Sequence, residues 1–182
     1  MSKIAFDGRR LAGEGVERLS RRLGELGDIF SDKAAHAVLP SGQLVYEVES
    51  VLPVKEGTEG GLFVGMTYIH PGKVGREYFM TRGHYHTIRN RAEVYIGIEG
   101  EGMLILMSED RSRVWVEKMR PGSVHYIPGH TAHRAANTGS RILSFGAVWP
   151  SDAGHDYATI SENGFSKILI DMDGVPILID KP

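Results

Sequence analysis

The chain has 182 residues, no cysteine and a formal net charge of −2. A length of this order suits one domain, and we interpret residues 1–182 as a single domain. The absence of cysteine excludes disulfides, thiolate metal ligands and a thiol nucleophile. The near-neutral charge, without any basic block, argues against a nucleic-acid partner.

Membrane insertion and export are not expected for this sequence. No apolar run reaches the length of a membrane-spanning helix. The first residues, Met1 to Asp7, lack the apolar core of a signal peptide. We therefore expect a cytoplasmic protein with no membrane partner.

The first predicted element is a short amphipathic helix near the N-terminus. Val16, Leu19, Leu23 and Leu26 recur at helical spacing. We interpret the arginines between them as the solvated face of this helix. These arginines are Arg18, Arg21 and Arg22.

From Leu44 onward the sequence consists of short β-rich runs separated by glycine, proline, asparagine or aspartate. The predicted strands lie near residues 44–51, 62–69, 77–80, 92–98, 102–107, 114–118, 123–127, 134–136 and 142–148. Two further short strands are predicted near residues 167–170 and 175–179. Many short strands at this spacing are typical of a β-sandwich or β-barrel, so we predict an all-β fold.

One stretch of the chain has the pattern of a metal site. Side chains two residues apart on a strand share a face, so His84 and His86 are expected to project together. Glu93 follows after a turn and can return to the same point on an antiparallel strand. His133, at the start of a later strand, is the predicted fourth ligand, whereas His125 is interpreted as an ordinary strand histidine.

Three imidazoles and one carboxylate form a borderline nitrogen and oxygen donor set. Such a set suits divalent iron, manganese, nickel, cobalt or zinc. In an octahedral ion, four protein ligands leave two positions for water or substrate, as catalytic sites require. The pattern therefore predicts a catalytic metal centre.

The sequence also resembles the cupin superfamily at two motifs. Residues that resemble the first motif are Gly83, His84, His86, Glu93 and Gly97. Residues that resemble the second are Pro121, Gly122, Pro128, His133 and Asn137. The resemblance implies a cupin barrel, a double-stranded β-helix or jelly roll, with its core at about residues 44–171. The short helix and extra strands would precede this core.

A closer resemblance is to the cupin-type glucose-6-phosphate isomerases of archaea and bacteria, which are metal-dependent. The segments that carry it are 71–75, 79–86, 91–95, 153–157 and 164–168. It implies a homodimer that interconverts glucose 6-phosphate and fructose 6-phosphate, in glycolysis and gluconeogenesis. It also implies one divalent metal per subunit, with Fe²⁺ first and Ni²⁺, Mn²⁺, Co²⁺ or Zn²⁺ as alternatives.

The resemblance assigns roles to individual positions. The metal ligands would be His84, His86, Glu93 and His133. The substrate phosphate would be held by the hydroxyls of Thr67, Thr81 and Tyr157 and by the backbone N–H of Gly83. The residues facing the sugar would be Tyr46, Tyr95 and His155. Trp149 and His130 depart from the family, which usually has tyrosine at the first position and an aromatic residue at the second. At Trp149, an indole N–H would replace a phenol hydroxyl that contacts the phosphate, so Trp149 is also a predicted substrate contact.

The residue chemistry leaves the hydrogen-transfer route open. Glu93 is the candidate base for an enediol route, although metal ligation weakens a carboxylate as a base. In the alternative, a hydride shift, Glu93 would move only hydroxyl protons. His155 can relay a proton during ring opening, because histidine titrates near neutrality. Tyr95 is expected to share the inward strand face of Glu93.

Other functions remain compatible with the sequence. A different metal-dependent cupin enzyme, such as a dioxygenase, would use the same ligand set. A non-catalytic cupin that senses sugar phosphates would bind ligand without turnover. Mannose 6-phosphate is a further possible substrate, because both aldoses lead to one enediol.

Overall fold

Strands are the predominant secondary structure in the computed structural model, which describes residues 5–7 and 10–182. The strands are β1 (Ala5–Asp7), β2 (Arg10–Ala12), β3 (Val16–Arg22), β4 (Leu44–Val51), β5 (Leu62–Ile69), β6 (Lys73–Val74), β7 (Glu77–Tyr78), β8 (Glu93–Glu99), β9 (Gly102–Ser108), β10 (Val114–Met119), β11 (Val124–Ile127), β12 (Thr131–Asn137), β13 (Leu143–Pro150), β14 (Lys167–Met172) and β15 (Val175–Asp180). The helical elements are a 3₁₀ turn (Leu23–Glu25), α1 (Lys33–Ala37) and α2 (Ala158–Asn163). The predicted all-β fold is confirmed.

The largest layer is a six-stranded antiparallel sheet in the order β11-β8-β13-β5-β4-β3. A three-stranded sheet, β10-β9-β12, and a four-stranded sheet, β15-β14-β7-β6, complete the main architecture. Short bridges join Met80 to Ala136 and His84 to His133, which ties the segment before β8 to β12. The sequence therefore brings its two motif regions into contact by strand pairing.

The hydrophobic core includes much of β9, where the four consecutive residues from Leu104 to Met107 are all buried. On β9, Leu104 and Leu106 are fully buried, and they pack in one cluster with Tyr85, Phe145 and Phe165. Burying a side chain of this size stabilises the fold by about 1.5–3 kcal/mol. The strands that carry the two motifs are therefore packed against this core.

The predicted amphipathic helix is wrong, because residues 16–22 form strand β3. β3 pairs antiparallel with β4, with Leu19 opposite Val48 and Arg21 opposite Tyr46. The backbone groups at the edge of β4 are available for hydrogen bonding, and the spacing of apolar residues in 16–26 carries no information about this edge. Pairing of β3 with β4 therefore overrides the helical pattern. Only the 3₁₀ turn follows, and it buries Leu23 completely.

The helix near the N-terminus is α1 instead, which begins after Asp32. The Asp32 carboxylate caps it by accepting a hydrogen bond from the Ala35 N–H at 2.9 Å. Other strand predictions agree closely with the structure. Strands 44–51 and 62–69 have the predicted bounds, whereas the strand predicted at 134–136 begins earlier, at Thr131.

A buried carboxylate attaches β2 and β3 to the six-stranded sheet. Glu49 on β4 is 1% exposed and accepts hydrogen bonds from the Leu11 N–H, the Tyr68 hydroxyl and Arg18 Nε, at 2.8, 2.8 and 3.1 Å. Burial alone would raise the pKa of Glu49, but these three donors outweigh it and hold the pKa below its ordinary value. Glu49 therefore links β2 and β3 to β4 through side-chain contacts, in addition to the backbone pairing of β3 with β4.

No helix among the described residues is long and apolar enough to cross a membrane.

Candidate metal centre and adjoining cavity

The four predicted metal ligands form one buried cluster. Their ligand atoms, from His84, His86, Glu93 and His133, all lie within 4.8 Å of one another. Nε2 of His86 lies 3.2 Å from Glu93 Oε2, and Nε2 of His133 lies 3.0 Å from the same oxygen. This group could hold one metal ion.

Strand pairing sets the geometry of the cluster. The backbones of His84 and His133 exchange two hydrogen bonds, of 3.2 and 3.1 Å, so the two residues lie directly opposite each other. Their rings are consequently close, with centroids 4.4 Å apart. Glu93 is the first residue of β8 and faces the same space from the neighbouring sheet.

Hydrogen bonds to the far side of two rings orient the nitrogens. His86 Nδ1–H donates to the Arg91 carbonyl at 2.8 Å, and His133 Nδ1–H donates to the Thr131 carbonyl at 3.3 Å. In each ring this leaves the lone pair of Nε2 directed into the cluster. Hydrogen bonds of this kind fix the tautomer and orientation of histidine ligands in metal sites.

Two buried nitrogens in the cluster have no hydrogen-bond partner among the described residues. They are Nε2 of His84 and Nε2 of His133, whose 3.0 Å approach to Glu93 Oε2 lacks hydrogen-bond geometry. Leaving a buried polar atom unpaired costs about 1–3 kcal/mol. A bound cation would supply the missing partner, so the residues fit a divalent metal.

The protonation states of Glu93 and His84 also suit a metal. At His86, burial lowers the pKa, but the contacts with Glu93 and the Arg91 carbonyl outweigh burial and raise it. Burial alone would raise the pKa of Glu93, but the His133 and His86 rings outweigh burial and lower it to about 2. Burial and the neighbouring imidazoles lower the pKa of His84 well below its ordinary value. At neutral pH these two groups are thus an ionised carboxylate and a neutral imidazole, the forms that bind metal.

A cavity of about 650 Å³ adjoins the cluster and opens to solvent. His84, Glu93 and His133 face it, whereas His86 lies behind them. The other predicted site residues all line this cavity: Tyr46, Thr67, Thr81, Gly83, Tyr95, Trp149, His155 and Tyr157. Every residue that the sequence nominates is therefore at one site.

The cavity wall opposite the metal-ligand cluster consists of alternate residues on three strands. Cavity residues recur at every second position on β4, β5 and β13. They are Tyr46, Val48 and Ser50, then Gly65 and Thr67, and then Phe145, Ala147 and Trp149. Gly65 allows close packing, because a Cβ there would lie 3.0 Å from the Trp149 ring. Several of these residues were not predicted, although the period of two on predicted strands would have identified them.

The mouth of the cavity is formed by two aromatic residues after β13. The rings of His155 and Tyr157 stack with an interplanar angle of 15°, and the His155 ring lies 4.4 Å from that of His84. Two backbone hydrogen bonds between Asp156 and Tyr85 hold this segment against the site. Burial raises the pKa of Tyr157 to about 12, so its hydroxyl keeps its proton at neutral pH.

Three charged residues that sequence reasoning missed also line the cavity, namely Arg21, Glu25 and Arg82. The assignment of Arg21 to the solvated face of a helix is wrong, because β3 directs it inward beside Tyr46. No local signal distinguishes it from its neighbours, since the register of β3 against β4 decides which arginine faces the cavity.

The other histidines named above lie outside the cluster. His125 is buried on β11, and its ring nitrogens contact Glu117 Oε2 at 2.7 Å and Ser123 Oγ at 2.9 Å. This confirms its interpretation as an ordinary strand histidine. His130 is exposed and bonds to Glu109 at 2.6 Å.

Comparison with known proteins agrees with this site. A family model described as glucose-6-phosphate isomerase (GPI) matches residues 20–178. The glucose-6-phosphate isomerase of Thermococcus kodakarensis is 43% identical over 169 residues, which are 92% of this chain and 88% of that protein. The glucose-6-phosphate isomerase of Pyrococcus horikoshii is 43% identical over 171 residues, 93% of this chain and 89% of that protein.

Likeness to solved structures is weaker. A deletion mutant of Bacillus subtilis oxalate decarboxylase has a TM-score of 0.46 and 18% identity, over 61% of this chain and 27% of that one. This partial likeness has no bearing on the site. Because the family model and the curated relatives cover most of the chain, the predicted enzyme family is confirmed. The chain belongs to the glucose-6-phosphate isomerase family.

Proposed function

We propose that this chain interconverts glucose 6-phosphate and fructose 6-phosphate at a divalent metal held by His84, His86, Glu93 and His133. The observation that carries the proposal is a buried three-histidine, one-carboxylate cluster that opens onto a cavity lined by hydroxyl groups. Its relatives in Thermococcus and Pyrococcus carry the name of this activity.

Iron is our first choice for the metal, with nickel, manganese, cobalt or zinc as substitutes. Imidazole and carboxylate donors accept all of these ions, so geometry alone does not select one. When bound, a divalent ion would polarise the substrate carbonyl and stabilise the negative charge that develops on oxygen.

Glu93 is the proposed proton carrier. Its carboxylate is ionised at neutral pH, since its pKa is about 2. In an enediol route, Glu93 takes the proton from C2 of the aldose and returns it to C1. In a hydride-shift route, it moves only the hydroxyl protons. Reaction in D₂O separates the routes, because only the enediol route places deuterium at C2 of the aldose product.

His155 and Tyr95 are proposed to act on the sugar ring and its hydroxyls. Surrounding protein lowers the pKa of His155, mainly through desolvation, so the ring is neutral at pH 7. A neutral imidazole can take the proton of O1 and return one to O5 as the ring opens. Burial raises the pKa of Tyr95 well above its ordinary value, so its hydroxyl stays a donor.

The phosphate is proposed to bind at the Thr67, Thr81 and Tyr157 hydroxyls and the Gly83 N–H. Thr81 supports this assignment, because its Oγ1 accepts a hydrogen bond from the Ala135 N–H at 3.1 Å. The hydroxyl hydrogen is then available for an anion.

A homodimer in the cytoplasm is also proposed. The outer face of the β8–β11 edge exposes apolar side chains, with Val124 opposite Ile96 and Tyr126 beside them. Val124 and Tyr126 are 68% and 65% exposed. A second copy of the chain would remove this apolar area from water. Light scattering on the purified protein tests the proposal, and a monomeric mass would contradict it.

One coupled assay tests the function. Glucose 6-phosphate formation from fructose 6-phosphate is measured before EDTA, after EDTA, and after each divalent metal is restored. We expect loss and recovery of turnover, and a fall in kcat of about 10²–10⁴-fold for Glu93→Gln. Glu101→Gln makes the same change at an exposed turn outside the cavity and should keep full activity.

Contrary outcomes of this assay identify the alternatives. Turnover that ignores both chelation and Glu93→Gln would remove the proposed mechanism. Ligand binding without turnover in the metal-loaded protein would favour a sugar-phosphate sensor. Oxygen consumption with an organic substrate would favour a dioxygenase.

A further inference from the structure

Positive charge is scarce in the cavity. Among the described residues that line it, the arginines are Arg21 and Arg82, and the carboxylates are Glu25 and Glu93. A sugar phosphate would bring a dianion into the same space as the ionised Glu93. A metal at the four ligands would share its charge with Glu93, and hydroxyl donors carry no formal charge. The two arginines are therefore the cavity side chains that can add positive charge at the phosphate.

Arg82 is already engaged by protein groups. Its guanidinium forms an ion pair with Asp28, and it donates to the Glu25 carbonyl at 2.6 Å and to Ser161 Oγ at 3.3 Å. These contacts bind the guanidinium from three sides. Arg82 therefore positions the loop that precedes the ligand strand.

Arg21 is engaged far less. Its described contacts are a hydrogen bond to the Ser20 carbonyl at 3.3 Å and an ion pair with Glu25 at 3.6 Å. A guanidinium has five N–H donors, so most of its donors remain for a ligand. Glu25 is half exposed, which makes it a weak counter-ion that a dianion can displace.

The register of β3 against β4 aims Arg21 into the cavity, beside Tyr46 of the predicted sugar site. Arg21 lies directly opposite Tyr46, and residues opposite each other in an antiparallel pair share a face. Its charge also reaches Tyr157 of the predicted phosphate site, because it counteracts the rise in the pKa of Tyr157 that burial causes. Both phenols and Thr81 line the same cavity as Arg21.

We infer that Arg21 provides the positive charge that recognises the substrate phosphate, and that Glu25 holds it in position when no anion is bound. This inference rests on the proposed function, since it names the group that selects phosphorylated sugars. It makes Arg21 a specificity-determining residue for this site.

The test uses Arg21→Gln, Arg21→Lys and a matched control. Arg22→Gln removes the same charge from the next residue of β3, whose guanidinium bonds to the exposed Gly42 carbonyl at 2.6 Å. For Arg21→Gln we expect KM for fructose 6-phosphate to rise about tenfold or more, because a charge-assisted hydrogen bond is lost. We expect kcat to stay within about threefold, as for a group that binds substrate and transition state alike.

Arg21→Lys should recover part of the lost affinity, because it restores charge without the planar donor pair. Arg22→Gln should keep KM within about twofold of the wild type, since it faces away from the cavity. Unchanged KM in Arg21→Gln, or an equal rise in Arg22→Gln, would overturn the inference.

A second readout needs no turnover. Inorganic phosphate is titrated at constant ionic strength, and the rise in Tm of each metal-loaded protein is recorded. The rise should be smaller in Arg21→Gln than in both the wild type and Arg22→Gln. If the wild type shows this pattern but has no isomerase activity, the proposed function fails and the role of Arg21 stands. If the wild type is active and Arg21→Gln responds to phosphate normally, the inference fails and the function stands.

Discussion

Two walls of the cavity contrast in how their residues are held. The metal wall consists of His84, His86, Glu93 and His133, and the N-terminal wall is the cavity face of β3 and β4. His133 is 1% exposed and fully enclosed by the core, whereas Leu19 on β3 is 48% exposed. Burial of imidazoles and a carboxylate is costly without a shared partner. The residues of the metal wall thus fit one shared ion, while the N-terminal wall combines the buried Tyr46 with the largely exposed Leu19.

The two walls derive from different features of the chain. The metal wall comes from unusual residue types at short spacings, so its chemistry is visible before the fold is known. The N-terminal wall comes from a strand that pairs with β4 and is held by Glu49. Its contribution to the cavity exists only in the folded protein. Three substitutions distinguish the contributions of the two walls to metal binding and to stability.

The largest effect is expected from His133→Ala in the metal wall. Removing one of four ligands should abolish stoichiometric metal binding and lower turnover by about 10³-fold or more. Elemental analysis and the coupled assay measure the two losses together. His130→Asn changes an exposed histidine that bonds to Glu109, and asparagine tolerates its positive φ of 60°. This control should keep its metal, and a His133→Ala protein with full metal content would show that His133 is not a ligand.

A smaller effect is expected from Gly83→Ala, which alters the backbone beside His84. Gly83 has φ +79°, and a Cβ there would lie 3.0 Å from the Phe165 ring and 3.1 Å from the His133 carbonyl oxygen. We expect the free energy of unfolding to fall by about 2–4 kcal/mol, because backbone strain and overpacking add. Metal occupancy should fall as well, since the contact displaces His133.

Gly122→Ala is the matched control for this change. Gly122 also has φ +79°, but a Cβ there meets nothing within 4 Å. In urea denaturation, Gly122→Ala should lower the free energy of unfolding by about 1–2 kcal/mol, and the metal content should stay unchanged. Equal losses in the two variants would mean that packing at Gly83 does not support the ligands.

The smallest effect is expected from Glu49→Gln on the opposite face of β4, behind the N-terminal wall. Loss of the ionised acceptor should lower the free energy of unfolding by about 1–3 kcal/mol and leave the metal centre intact. Because its folded pKa is depressed, the carboxylate stabilises the protein above its unfolded pKa, and this contribution is lost as the pH falls through the folded pKa. Wild type and variant should therefore converge at acid pH in urea denaturation.

Glu47→Gln provides the control on the same strand. Glu47 is partly exposed and pairs with Arg10 at 2.9 Å. Its loss should cost less than about 1 kcal/mol, as for other exposed ion pairs. If Glu49→Gln also released the metal, the two walls would be coupled, and the contrast between them would be wrong.

Much of the fold and of the site was predictable from local patterns. Strands such as 44–51 and 62–69 are β-rich runs flanked by glycine and proline, and these flanking residues define their bounds. The spacing of His84, His86 and Glu93 follows from the period of two on a strand. Prediction failed at residues 16–26, where leucines at helical spacing occur in β3 and a 3₁₀ turn. It failed there because a helical period and a strand period can share the same few residues, and only the available edge of β4 selects between them.

The sequence by itself determined the all-β fold, the family and the donor set of the metal site, because these depend on residue types and short spacings. Tertiary structure alone decided that Arg21, and not Arg18 or Arg22, faces the cavity. It also decided that Glu25 and Arg82 lie beside Arg21. Strand register between distant segments makes these choices, and a shift of one residue would turn every side chain of β3 to the opposite face.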